Sequence, residues 1–112
     1  MEELIKRIRK FRDDRDWMQF HNPRNLAVSI SIEAAELLEH FQWKDNKEAA
    51  AYAEAHKEEV SDEMADIAIC LFEMADNMGV DLLRAMRRKL RKIAAKYPVA
   101  KARGVATKYD KL

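Results

Sequence analysis

Glycine and proline are scarce in this sequence, two of each among 112 residues. That scarcity argues against a sheet whose strands would need frequent tight turns. A single cysteine, Cys70, excludes an internal disulfide and any paired-cysteine metal knuckle. No apolar run approaches the roughly 20 residues needed to span a bilayer. The N-terminal MEELIKRIRK lacks the apolar stretch of a secretory signal. A cytoplasmic location and no membrane partner are therefore expected. Glu-x-x-His pairs are also missing, since Leu37 and Ala53 stand three residues before His40 and His56. That absence argues against a di-iron carboxylate bundle.

What the chain does have is 48% hydrophobic and 37% charged residues, a mixture suited to long amphipathic helices. Its length suits a single domain over residues 1–112. The net charge of +1 hides a division. Residues 1–80 carry 18 Asp/Glu against 10 Lys/Arg, and residues 81–112 carry 11 Lys/Arg against two Asp/Glu. An acidic region suits a divalent cation, and a basic one suits phosphate or nucleic acid. A protein handling a metal-bound polyphosphate would need both. On charge alone, a solvated helix face with a basic tail explains the pattern equally well.

The periodicity predicts an all-α chain of four helices and an extended basic tail. The first helix runs from about Glu2 to Asp16, with Leu4, Ile5, Ile8 and Phe11 forming one stripe. A loop follows through Trp17 and His21. Asn22 is read as an N-cap with Pro23 at the first helical position, and the second helix continues to about Gln42 along a stripe of Leu26, Ile30, Leu37 and Phe41. A third helix starts at Asp45–Asn46 and can reach Met78, with a break near Tyr52–His56 allowed by its length. Its second half is apolar nearly all round, which implies burial on several sides. One small domain cannot cover such a helix, so a homo-oligomer is expected. Asp81 caps the fourth helix, which runs to about Lys96 and stops before Pro98.

Glu33 falls inside the apolar stripe of the second helix, Glu36 lies on its flank and Glu39 faces away. An unpaired carboxylate on a buried stripe is costly, so Glu33 needs a cation, a basic side chain or a proton. On the third helix Glu59, Glu63 and Asp66 share one face, and Asn77 lies on it too. Like charges at that spacing repel unless something positive sits between them. If the two helices face each other, Glu33, Glu36, Glu63 and Asp66 form an oxygen-rich pocket of the kind Mg²⁺ prefers.

Three segments, RDWMQFHNPRNLAVSISIEAAELLEHFQW, EEVSDEMADIAICL and KYPVAKARGVATKY, together resemble the all-α MazG-like nucleotide pyrophosphohydrolases, the group that includes dCTP pyrophosphatase. The resemblance covers most of the chain from Arg15 to Tyr109. It implies Mg²⁺-dependent hydrolysis of a nucleoside triphosphate, dCTP or a small set of dNTPs, to the monophosphate and pyrophosphate, in nucleotide-pool house-cleaning. Glu33, Glu36, Glu63 and Asp66 match the family's metal ligands, and Glu36 or Glu59 is a candidate base. Trp17, His21 and Trp43 match positions near the nucleobase, and Lys89, Lys96 and Tyr97 match a K…KYP stretch that meets phosphate. Lys44, Arg103 and Lys108 are weaker candidates, and Arg24 and Asn25 orient the loop. The group's habit favours a tetramer over a dimer.

The chain departs from the family at Ile93, where an Asn is usual, at Cys70, where many relatives carry Tyr, and at Ile8, where some dCTP-directed members carry His. These departures bear on base and sugar selectivity rather than on the carboxylates. Two other readings are a basic-tailed nucleic-acid-binding module and a catalytically silent helical scaffold. No recognition-helix or stacking-sheet motif supports the first, and nucleic acid is not the expected partner.

Overall fold

The structure is a computed structural model that describes residues 1–112. Its regular structure is entirely helical: α1 (Glu2–Asp14), a 3₁₀ turn (Met18–Phe20), α2 (Pro23–Glu39), α3 (Asn46–Ala55), α4 (Lys57–Asn77), α5 (Leu82–Lys96), α6 (Val99–Ala102) and a final 3₁₀ turn (Tyr109–Lys111). No helix is long and apolar enough to cross a membrane.

The helix starts follow local chemistry. The Asn22 side chain accepts from the Asn25 backbone N–H at 2.9 Å ahead of Pro23. Asp45 and Glu48 form a reciprocal capping box on α3, and Asp81 accepts from the Arg84 N–H. Each satisfies a backbone donor that helix geometry leaves without a partner.

The ends differ from the sequence expectation. α1 closes at Asp14 because the amides of Arg15, Asp16 and Trp17 fold back onto Arg12 and Asp13, with Asp16 left-handed at φ 54. α2 closes at Glu39 rather than Gln42, through tight turns in which His40 and Phe41 donate to Leu37 and Leu38 and Trp43 takes φ 69. The long third helix is two helices, broken at His56 (φ −120, ψ 36). The tail is not uniformly extended. Pro98 lacks a donor but its carbonyl accepts from Lys101 and Ala102, which starts the short α6.

The chain divides into two compact units, Met1–Gly79 and Val80–Leu112, and the charge changes sign at the same boundary. Within the first unit, α2 packs along α4, with α1 and α3 also against α4. Near its end α4 offers Asn77 to the carbonyl of His21, just before α2. Further along α2, Glu36 meets Glu63, earlier in α4. The two helices therefore run antiparallel. Leu26 and Ala75 are the buried apolar residues, and the buried charged ones are Arg12 and Glu73.

Candidate active site

One stripe of α4 carries Glu63, Asp66, Cys70, Glu73 and Asn77, separated by three or four residues. It holds two clusters of polar chemistry, an acidic one toward its middle and an aromatic, ion-paired one toward its end.

In the acidic cluster, carboxylate oxygens of Glu33 and Glu36 from α2 and of Glu63 from α4 all lie within 4.8 Å of one another. Asp66 is more exposed and borders the group, its charge acting on Glu33 and its carboxylate hydrogen-bonding with Glu63. One oxygen, Glu33 Oε2, is buried with no hydrogen-bond partner. An orphaned buried carboxylate oxygen is costly, and a cation among these groups would satisfy it. Every donor in the group is a carboxylate oxygen, which matches a hard divalent cation rather than a thiolate- or imidazole-bound one.

Without a cation the carboxylates resist ionising together. Glu63 is pushed up to about 7, chiefly because Glu36 hydrogen-bonds its protonated form, then through burial, the charge of Glu36, the hydrogen bond with Asp66 and the charge of Glu33. Glu33 is raised as well, again with Glu36 as the main cause. Burial pushes the Cys70 thiol up, and the charges of Glu33, Glu73 and Asp66 add to this. Cys70 thus stands between the two clusters as a protonated thiol.

Glu36 and Glu63 also line an open cleft of about 380 Å³ with Glu39, His40 and Tyr52. His40 Nδ1 and the Tyr52 hydroxyl are 2.8 Å apart, and His56 stacks on the Tyr52 ring at 4.0 Å. Lys44 Nζ lies 4.3 Å from the same ring's centroid. Glu59 is exposed, one turn before Glu63, and stands outside the three-carboxylate group.

In the second cluster, His21 Nδ1 lies 2.8 Å from the Glu73 carboxylate, and Arg12 Nη1 lies 4.0 Å from the same carboxylate. Arg12 Nη1 also donates to Asn77 Oδ1 at 2.8 Å, and Asn77 Nδ2 donates to the His21 carbonyl. Trp17 is next to His21, ring centroids 6.2 Å apart, and packs edge-on against Phe11. The sequence reading found His21 and Trp17 but missed Arg12 and Glu73. The available signal was Glu73 itself, a charge between Phe72 and Met74 in the apolar half of α4, which burial obliges to find a partner.

Trp43 stands apart. Its left-handed backbone holds the indole 92% exposed, and it makes no ring contact with Trp17 or His21. The remaining candidates belong to the C-terminal unit. Lys89 lines an apolar groove of α5 with Leu83, Met86, Arg87, Leu90 and Ile93. Lys96 Nζ lies 4.5 Å from the Tyr109 ring centroid, and Tyr97 meets that ring edge-on.

An all-α chain whose antiparallel helices gather acidic side chains around an unsatisfied oxygen defines a protein with a candidate divalent-cation centre. The MazG-like family model matches residues 28–112, and the chain belongs to the MazG-like family. It is 39% identical to dCTP pyrophosphatase 1 of Rattus norvegicus and 34% identical to dCTP pyrophosphatase 1 of Homo sapiens, in each case over 100% of this chain and 67% of the relative. A solved pyrophosphatase from Archaeoglobus fulgidus is 47% identical and superposes with a TM-score of 0.84, covering 88% of this chain and 92% of that one.

Proposed function

We propose that this protein is a nucleoside triphosphate pyrophosphohydrolase that cleaves dCTP, or a small set of dNTPs, to the monophosphate and pyrophosphate, with Mg²⁺ as cofactor. The observation that carries the reading is the partnerless Glu33 oxygen buried beside Glu36 and Glu63. The relatives named dCTP pyrophosphatase and the solved pyrophosphatase support the same activity.

Glu33, Glu36, Glu63 and Asp66 would hold the ion. When bound, it supplies charge neutralisation to the phosphates and acidifies water. The chain's own residues do the rest. Glu36, which lines the cleft, or Glu59, one turn before Glu63, would accept the proton of the attacking water. Trp17, His21 and Trp43 would contact the nucleobase, for which an exposed indole face is a sequence-tolerant platform. Lys89, Lys96 and Tyr97 would meet phosphate, where fixed positive charge offsets the charge carried into the transition state.

We also propose that the two compact units act as one functional domain in a homotetramer, in the cytoplasm, where nucleotide pools are kept free of unwanted triphosphates. Val28, Ile32 and Leu38 of α2 and Met64, Ile69 and Leu71 of α4 are each at least 40% exposed in the single chain. That is a large apolar surface for a lone subunit.

The test is a panel of dNTPs and NTPs with and without Mg²⁺, read by product identity. Monophosphate and pyrophosphate in equal amounts are expected, with dCTP among the best substrates. Glu33→Ala and Asp66→Ala should abolish turnover while leaving helicity nearly unchanged. Full turnover in both variants would place the reaction elsewhere.

A further inference from the structure

The ion-paired cluster at the end of α4 does more than join helices. Glu73 is 5% exposed and Arg12 8% exposed. Arg12 Nη1, which can only donate, lies 4.0 Å from the Glu73 carboxylate. A carboxylate facing His21 Nδ1 at 2.8 Å can only accept, so Nδ1 must carry the hydrogen. In a neutral imidazole this leaves Nε2 as a bare lone pair. The ring is part-exposed, with 27% of the side chain accessible, and its backbone is pinned by Asn77. Trp17 stands alongside.

We infer that Glu73 is a positioning residue that locks His21 in the Nδ1–H tautomer, so that Nε2 accepts a hydrogen bond and selects nucleobases bearing an exocyclic amino group. The inference rests on the nucleotide-hydrolase reading and deepens it. Cytosine presents an N4 amino donor, whereas thymine and uracil present a carbonyl oxygen at that place. That oxygen would set lone pair against lone pair, and a site built to pair one polar group discriminates strongly against a substrate that leaves it unpaired. The Arg12–Glu73–His21 relay thus supplies selectivity from side chains separate from the acidic cluster.

Two measurements test this. Nitrogen-15 spectra of the wild-type protein, at a pH where the His21 ring is neutral, should show a protonated Nδ1 and an unprotonated Nε2. This needs no variant and no turnover, and an Nε2–H tautomer would overturn the inference. In Glu73→Gln, the amide can either accept from or donate to Nδ1, so both tautomers should appear. The ratio of kcat/KM for dCTP over dTTP should fall by roughly tenfold, the scale of one ordinary hydrogen bond, with Mg²⁺ affinity unchanged. An active Glu73→Gln enzyme that keeps the wild-type base ratio refutes the inference alone. A wild-type protein that turns over no nucleotide refutes the hydrolase reading, and the base-selecting role falls with it.

Discussion

At the scale of single residues, the acidic cluster has a cost that shows in its response to pH. Glu33 and Glu63 are both raised, Glu63 to about 7 from the usual 4.5. Groups raised in the folded state contribute stability below their unfolded value and lose it as pH rises through the folded one. In metal-free protein this loss runs from about pH 4.5 to 7. Asp13, Asp45 and Asp76 are lowered by their partners and act in the opposite sense, but they cancel when the same sample is compared with and without metal. The rise in Tm on adding Mg²⁺ should therefore be small at pH 5 and large at pH 8. Glu63→Gln should flatten that difference, as thermal melts across pH would show.

Trp43 offers a second residue-level test. A left-handed backbone costs a non-glycine residue about 1–2 kcal/mol, and asparagine tolerates it better. Trp43→Asn should leave stability unchanged or raise it by up to about 1 kcal/mol. If the indole stacks on the base, kcat/KM should fall roughly ten- to a hundredfold, since such stacking is worth about 1–3 kcal/mol. Urea unfolding and steady-state kinetics on one preparation check both halves. The strain at Trp43 could not be read from its sequence, where nothing but the tryptophan marks the turn. The carboxylates could, because Glu33 interrupts an apolar stripe at a spacing that only a helix gives.

At the scale of elements, the capping residues were legible because each acts over three or four positions. Asn22 and Asp81 cap where the sequence put them, and Asp45 caps the helix expected to start at Asp45–Asn46. The break at His56 was legible only as an excess of length, since no proline or glycine marks it. Glu73 was legible as a charge in the apolar half of α4, but its pairing with Arg12 was not, because it joins residues far apart in sequence and depends on how α1 lies against α4. The α3 capping box carries its own prediction. Asp45→Ala removes the side-chain acceptor for the Glu48 amide and should lower stability by about 1 kcal/mol in denaturant titration. The contact between α3 and the turn after α2, in which Tyr52 meets His40, should loosen with it, and the Tyr52 hydroxyl proton should exchange faster.

At the scale of the whole molecule, the unit boundary at Gly79–Val80 was visible in the sequence as a change of charge and a helix-ending glycine with φ 70. The exposed apolar residues of α4 were visible in the sequence as a surplus of hydrophobic positions. The proposed homotetramer should sediment with a mass near four times the 13.1 kDa of one chain. Ile32→Lys with Leu38→Lys, both on exposed apolar positions of α2, should shift the assembly to smaller species, because a buried unpaired lysine is strongly disfavoured.

A consequence of the single stripe along α4 concerns measurement. Asp66 and Glu73 are seven residues apart on one unbroken helix, which sets the acidic cluster and the carboxylate that meets His21 about 10 Å apart along a stiff rod. The same backbone that supplies both chemistries is thus a ruler between them. Inserting one alanine between Asp66 and Glu73 would rotate one end against the other by about 100° without altering a single functional side chain. Under the proposed function that spacing is fixed by helix geometry, so an insertion or deletion in α4 would change it while a side-chain substitution such as Glu73→Gln would not.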